Sequence, residues 1–214
     1  VADKEILILR GETLSFDVLW ETDQIIYKPI TAIDLSHGAP RLTAIGHGAV
    51  SGWYGAVTRV LGMRQINAES SPPSDSDYHR LTVIDVDTVE LNDVDASGFS
   101  AYTSGGFLQF NAPQDLTGYT ARMQVRTREG GELLMSSDVA DTPLDIINLT
   151  VSASLKKTTI EISAADTAAI PATVKRGVTS LEMVSPTGVV KRLKITRGAK
   201  DEPDAVRVAG EVTT

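Results

Sequence analysis

A strand-like stretch near the start of the chain finds its natural continuation only about ninety residues later. Leu14-Ser-Phe16-Asp-Val18-Leu-Trp20 alternates apolar and polar residues, so Leu14, Phe16, Val18 and Trp20 share one face of a half-buried strand. The same alternation resumes in Asp115-Leu-Thr-Gly-Tyr119-Thr-Ala-Arg-Met123-Gln-Val125, where Ala121, Met123 and Val125 oppose Arg122, Gln124 and Arg126. Between them lies a Gly-rich segment of short strand patterns ending in Ala101-Tyr-Thr-Ser-Gly-Gly106. A chain so arranged is constrained to place one small β module inside a loop of another.

The intervening segment reads as closely spaced short strands at Ile30–Ile33, Leu42–Ile45, Ala56–Leu61, Leu81–Ile84 and Thr88–Leu91, a spacing that suits a small barrel. Residues 69–77, Glu-Ser-Ser-Pro-Pro-Ser-Asp-Ser-Asp, read as a polar loop with no means of burying itself. After the insert, strands are expected at Ile146–Val151, Thr158–Ile162, Leu181–Met183 and Val189–Ile195, with a Pro/Gly turn at Ser185–Gly188. Ser163 with Asp166 three positions on marks the N-terminus of a short helix that Pro171 ends. The expected fold class is all-β: an immunoglobulin-like β-sandwich formed by residues 1–22 and 107–214, with an inserted small β-barrel at 23–106.

The chain has no cysteine, which excludes disulfides, thiolate metal sites and cysteine nucleophiles and favours assembly in a reducing cytoplasm. No apolar run approaches the ~18 residues of a membrane helix, and residues 1–20 carry no secretory-signal pattern. The net charge of −8 makes binding to nucleic-acid phosphates unfavourable. That charge is uneven: residues 1–113 hold 7 basic and 15 acidic side chains, and residues 114–200 hold 12 and 9. Opposite signs on two modules favour contacts between subunits or with a neighbour.

No catalytic, cofactor-binding or metal-ligating set emerges. His37 and His47 each precede a glycine in a predicted turn, His79 follows the Pro/Ser loop, and their spacing matches no zinc pattern. Asp93-Val-Asp95-Ala-Ser97-Gly98 opens like a calcium loop, but Ser104 stands where the bidentate Glu is needed. Val50-Ser51-Gly52 near His47 lacks the strand-to-helix elbow of a serine hydrolase. Gly46-His-Gly48 lacks the Lys and helix of a phosphate loop. Trp53 and Tyr54, beside Gly52 and Gly55, either pack in the barrel or present aromatic faces to sugars or a partner.

Asp115–Arg126, Ile160–Pro171 and Leu181–Gly188, with Arg10-Gly-Glu-Thr-Leu-Ser-Phe16, together resemble the β-sandwich of tailed-phage baseplate upper proteins. The insert, through Thr43-Ala-Ile-Gly-His-Gly48, Gln65-Ile-Asn67, Val83-Ile-Asp85 and Ala101–Gly106, resembles the small barrel of the first catalytic-cysteine half-domain of ubiquitin-activating enzymes. Without a cysteine that second resemblance implies the fold and none of the chemistry. The two resemblances imply a non-enzymatic virion component of tail, baseplate or head fibre, assembled in the bacterial host cytoplasm. It would form a homo-oligomer in a symmetric assembly and contact other phage structural proteins, with no cofactor, nucleic acid or membrane insertion. Candidate protein contacts are the cations on strands of the second half: Arg122, Arg126, Arg128, Lys191, Arg192 and Lys194. The alternative is an adhesion module for host-surface glycan, using Trp53, Tyr54, His79 and the loop 69–79.

Overall fold

A computed structural model describes residues 6–137, 144–193 and 205–209, with backbone alone for Leu193 and 205–209. In chain order the strands are β1 (Ile6–Leu9), β2 (Leu14–Leu19), β3 (Glu21–Pro29), β4 (Ala32–Asp34), β5 (Arg41–Thr43), β6 (Tyr54–Leu61), β7 (His79–Val83) and β8 (Thr88–Leu91). They continue as β9 (Ser104–Pro113), β10 (Thr120–Arg126), β11 (Leu133–Ser136), β12 (Asn148–Ser152), β13 (Lys157–Ile162), β14 (Arg176–Val184), β15 (Val190–Leu193) and β16 (Ala205–Ala209). The helix α1 (Ala164–Ala169) separates β13 from β14. No described helix is long and apolar enough to cross a membrane.

The fold is all-β, and the chain forms two compact units. One comprises the described residues up to Leu19 and from Asp115 onward; the other is Trp20–Gln114. In the first unit one sheet runs β1-β16-β14-β10-β11, and β15 shares with β16 the edge of β14 that β10 leaves free. The second sheet is β12-β13-β2. The terminal strands β1 and β16 are parallel, and the other strand pairs in both units are antiparallel. Two sheets with this order make an immunoglobulin-like sandwich.

Alternation decides which side chains meet inside it. Met123 and Val125 of β10 and Leu181 and Met183 of β14 are buried, as are Val18, Ile160 and Ile162 of the smaller sheet. The Thr158 hydroxyl of one sheet donates to the Met183 sulfur of the other at 3.5 Å. The Ser163 hydroxyl accepts from the Asp166 N–H at 3.2 Å and caps α1 as its sequence indicates. The Arg10 guanidinium closes the far side of α1, donating to the carbonyls of Ile170, Pro171 and Val174 at 2.9–3.0 Å.

The second unit is one seven-stranded sheet, β3-β9-β6-β7-β8-β5-β4. Its two end strands are consecutive in the chain, joined only by Ile30 and Thr31. There Ile30 N–H donates back to Gly106 O at 3.0 Å and Thr31 N–H forward to Thr43 O at 2.9 Å. The long segment thus leaves β9 and joins β5, and the sheet curls into a barrel filled by Leu42, Leu81, Val89, Leu91, Leu108 and Phe110, each 0% exposed.

The boundaries differ from those expected. Residues 20–22 and 107–114 belong with the barrel unit, because Glu21 pairs with Pro113 and Ile25 with Asn111 along β3 and β9. Trp20, expected in the sandwich core, falls in the barrel unit, where it is 4% exposed and its carbonyl accepts from Gln114 N–H at 2.9 Å. The chain passes from β2 to β3 without a turn, so no Gly or Pro marks the crossing.

Candidate functional site

A concavity lies on the outer face of the barrel. It begins at Gly62, whose φ of +85° and missing Cβ let the chain turn after β6; a Cβ there would fall 2.3 Å from Ala101 O. A 3-10 turn at Arg64–Ile66 follows. Asn67 then stands in for a strand partner: its Oδ1 accepts from Val60 N–H at 2.7 Å and its Nδ2 donates to Val60 O at 3.0 Å. Ala68 N–H donates to Val57 O at 2.7 Å, which lays the loop 67–78 back across β6.

Asp77 shapes that loop. Its carboxylate accepts from Ser70 Oγ at 2.6 Å, Ser74 N–H at 2.7 Å, Ser74 Oγ at 2.8 Å and Glu69 N–H at 2.8 Å. The side chain is buried, and these bonds, the Ser70 hydroxyl first, hold its carboxyl well below the usual carboxylate range. The Ser71–Pro72 peptide is cis. A stretch expected to stay unburied is therefore organised around a buried charge, because hydroxyls and backbone N–H groups within the loop supply its solvation.

Between loop and sheet is a cavity of about 680 Å³. Tyr27 enters it from β3, Arg59 and Thr58 from β6, and Phe107 and Gln109 from β9; Pro72 and Pro73 form the loop side. That volume lies in the range of small-molecule sites, roughly 300–1,000 Å³. Arg59 has φ +60°, a left-handed conformation costing about 1–2 kcal/mol for an L residue, and the pairs Thr58–Phe107 and Val60–Gly105 hold it on either side. Its exposed guanidinium makes no ion pair or hydrogen bond among the described residues, and it is the one charged side chain lining the cavity there. Gln109 is 4% exposed; its amide meets the Tyr78 hydroxyl at 3.4 Å, and the other end of that amide has no partner among the described residues.

The aromatic and histidine candidates fall elsewhere. Trp53 is 1% exposed, and its indole N–H donates to Asn111 O at 2.9 Å, so it is core and offers no face to a sugar. The chain is pressed close there: a Cβ on Gly55 would stand 3.0 Å from Leu108 Cδ1. Tyr54 is 37% exposed on β6 opposite Arg80, and it does not line the cavity. His79 is half-buried, with Nδ1 3.1 Å from Asp93 Oδ1. Of the glycan candidates, only the loop itself contributes to the cavity.

His47 is buried, a role its turn-like context hides. Its Nδ1 accepts from Ala49 N–H at 3.0 Å, which leaves Nε2–H to donate to Asp85 O at 3.0 Å and defines a neutral ring. His37 lies 3.4 Å from Asp34 at the surface. Asp95 accepts from Ser97 N–H at 3.0 Å in an exposed turn. Among the described residues no three His, Asp or Glu side chains gather as metal ligands would.

On the sandwich, the register aligns Arg122, Glu182 and Arg192 in one row across β10, β14 and β15. Arg122 Nε donates to Glu182 Oε2 and Arg192 Nε to Oε1, both at 2.6 Å. Burial of Glu182 works against its charge, but the bonds from Arg192 and Arg122 outweigh it and hold the carboxyl below its ordinary value. Arg126 donates to Gln124 Oε1 and to Gly131 O at 2.9 Å and so ties the β10–β11 turn. Arg128 is exposed in that turn. Lys191 is exposed and neighbours Arg192 along β15, so the two point to opposite faces. Lys194 lies outside the described residues. Arg122 and Arg192, candidate contacts by charge, are thus drawn onto Glu182, a cross-strand partner that is invisible to a count of charges along the chain.

No protein-family model matches the chain, and no curated protein matches its sequence.

Proposed function

We propose that the chain is a non-enzymatic structural component of a tailed-phage virion, an attachment or connector part working through protein–protein contacts. The observation that carries this reading is the splice: a closed barrel with its own core stands between the second and third strands of an immunoglobulin-like sandwich. Such an insertion adds a second module at two adjacent chain crossings, 19/20 and 114/115, without interrupting either sheet of the sandwich. The resemblance of Asp115–Arg126 and its companion segments to baseplate upper proteins supplies the phage assignment. Edge strands β1 and β12 each lack a strand partner on one side among the described residues, and such edges accept a strand from a neighbouring subunit. A symmetric homo-oligomer is what the resemblance implies, and assembly in the host cytoplasm accords with the lack of cysteine. The test is quantitative mass spectrometry of purified particles from the phage that encodes the chain. Stoichiometric, particle-bound copies are expected; a chain confined to the soluble lysate would overturn the proposal.

A further inference from the structure

We propose that the outer groove of the barrel binds a carboxylate-bearing saccharide, its ring on Tyr27 and Phe107 and its carboxylate on Arg59. This goes beyond the virion reading and does not depend on it. The charge argument comes first. Residues 20–114 carry five basic and eleven acidic side chains, yet the one charged group lining the cavity among the described residues is an unpartnered arginine. A planar guanidinium with free donors matches a carboxylate through two parallel hydrogen bonds. A single cation balances a single negative charge, which favours a carboxylate over a phosphate monoester.

The shape argument follows. In the β3–β9 register Tyr27 faces Gln109 and Pro29 faces Phe107, so Tyr27 and Phe107 are diagonal neighbours on the outer face, about 7–8 Å apart. Tyr27 is 56% exposed and Phe107 half-buried. Together with Pro72 and Pro73 they give the groove an apolar side, while Thr58, Ser70 and the unpartnered end of Gln109 give it a polar one. A pyranose has the same division, with C–H bonds on one face and hydroxyls around the rim. A peptide fits less well. β9, which carries Phe107 and Gln109, is paired on both edges, with β3 and β6, so the middle of the groove floor offers a bound backbone no free strand edge.

The full chain is applied to an array of carboxylated, phosphorylated and neutral glycans and of acidic peptides. A carboxylated hit is then titrated by calorimetry beside its methyl ester, which removes the charge and leaves the sugar. The expected result is binding to uronic-acid-type glycans. It weakens about tenfold or more on methyl esterification, in Arg59→Asn and in Tyr27→Ala, and is unchanged in Tyr54→Ala. Esterification has no further effect in Arg59→Asn. Asn tolerates the left-handed backbone at position 59, so the melting temperature should hold; if that variant does not fold, Tyr27→Ala decides alone. The proposal is overturned if no carboxylated glycan binds at about millimolar concentration. It also fails if the methyl ester binds equally, or if only phosphorylated glycans or acidic peptides bind.

Discussion

In the sandwich β10 meets solvent on one face, whereas in the barrel the middle of β9 is covered on both. Along β10, Met123 and Val125 are buried while Arg122 is exposed and Gln124 and Arg126 are partly so. Along β9, Leu108, Gln109 and Phe110 are consecutive and all buried. The difference comes from the loop 67–78, which closes over the outer side of β6 and β9 through Asn67, Ala68 and Asp77. A stretch composed of Ser, Pro and Asp can therefore act as a wall of a hydrophobic unit when its polar groups satisfy one another. The sandwich has no counterpart among its described residues: its outer faces are finished by side-chain pairs such as Arg122–Glu182–Arg192.

If the units have separate cores, each should lose stability by itself, and the largest effects test that. Phe110→Ala should cost the barrel about 3–5 kcal/mol, and Ile160→Ala the sandwich about 2–5 kcal/mol. In calorimetric unfolding each variant should lower one transition and leave the other in place; equal shifts of both would mean a single cooperative core. Next comes Gly62→Ala, expected to cost about 2–3 kcal/mol because the added Cβ meets the backbone oxygen of Ala101 and φ is positive. The barrel transition alone should move.

Acid should separate the units through Asp77. A carboxyl whose folded pKa is depressed stabilises above its unfolded value, here ordinarily 3.8, and that stability is lost as pH falls below it toward the lower folded value. Asp77→Asn should weaken the barrel at neutral pH by about 1–3 kcal/mol, yet flatten its decline between about pH 5 and pH 2. Glu182 acts with the same sign in the sandwich, whose acid decline should survive the Asp77 change. Equal flattening of both transitions in a pH series of melts would break the assignment. The smallest effect is a gain: Thr179 Oγ1 is buried without a partner among the described residues, so Thr179→Val should raise the sandwich transition by about 1 kcal/mol.

The legible parts of the fold were those with a local signature. Alternation in Leu14–Val18 and Ala121–Val125 predicted which residues face the sandwich core, and Ser163 with Asp166 predicted the cap of α1. The turn at Ser185–Gly188 joins β14 to β15 as expected. For Trp53 the sequence left packing in the barrel and an exposed face both open, and the ring is core; flanking glycines signal a tight backbone but do not say whether the ring enters the core or leaves it. The cavity was nearly invisible. Tyr27, Arg59 and Phe107 are separated by tens of residues and come from three strands, and they are gathered only by the pairing of β3 and β6 on either side of β9. The one local clue was the loop 69–77, and its polarity suggested solvent, not a wall.

From the order of its residues alone, this chain is committed to β structure, to an interruption after its second strand, and to a fold without disulfides. These follow from period-two alternation, turn residues and composition, all short-range properties. Tertiary structure alone decided where the crossing between units falls, that Asp77 and His47 are buried, that Arg122 and Arg192 share Glu182, and that Arg59 is left without a partner. Each of those depends on which strand lies beside which, and strand neighbours are chosen by the collective burial of side chains far apart in the chain.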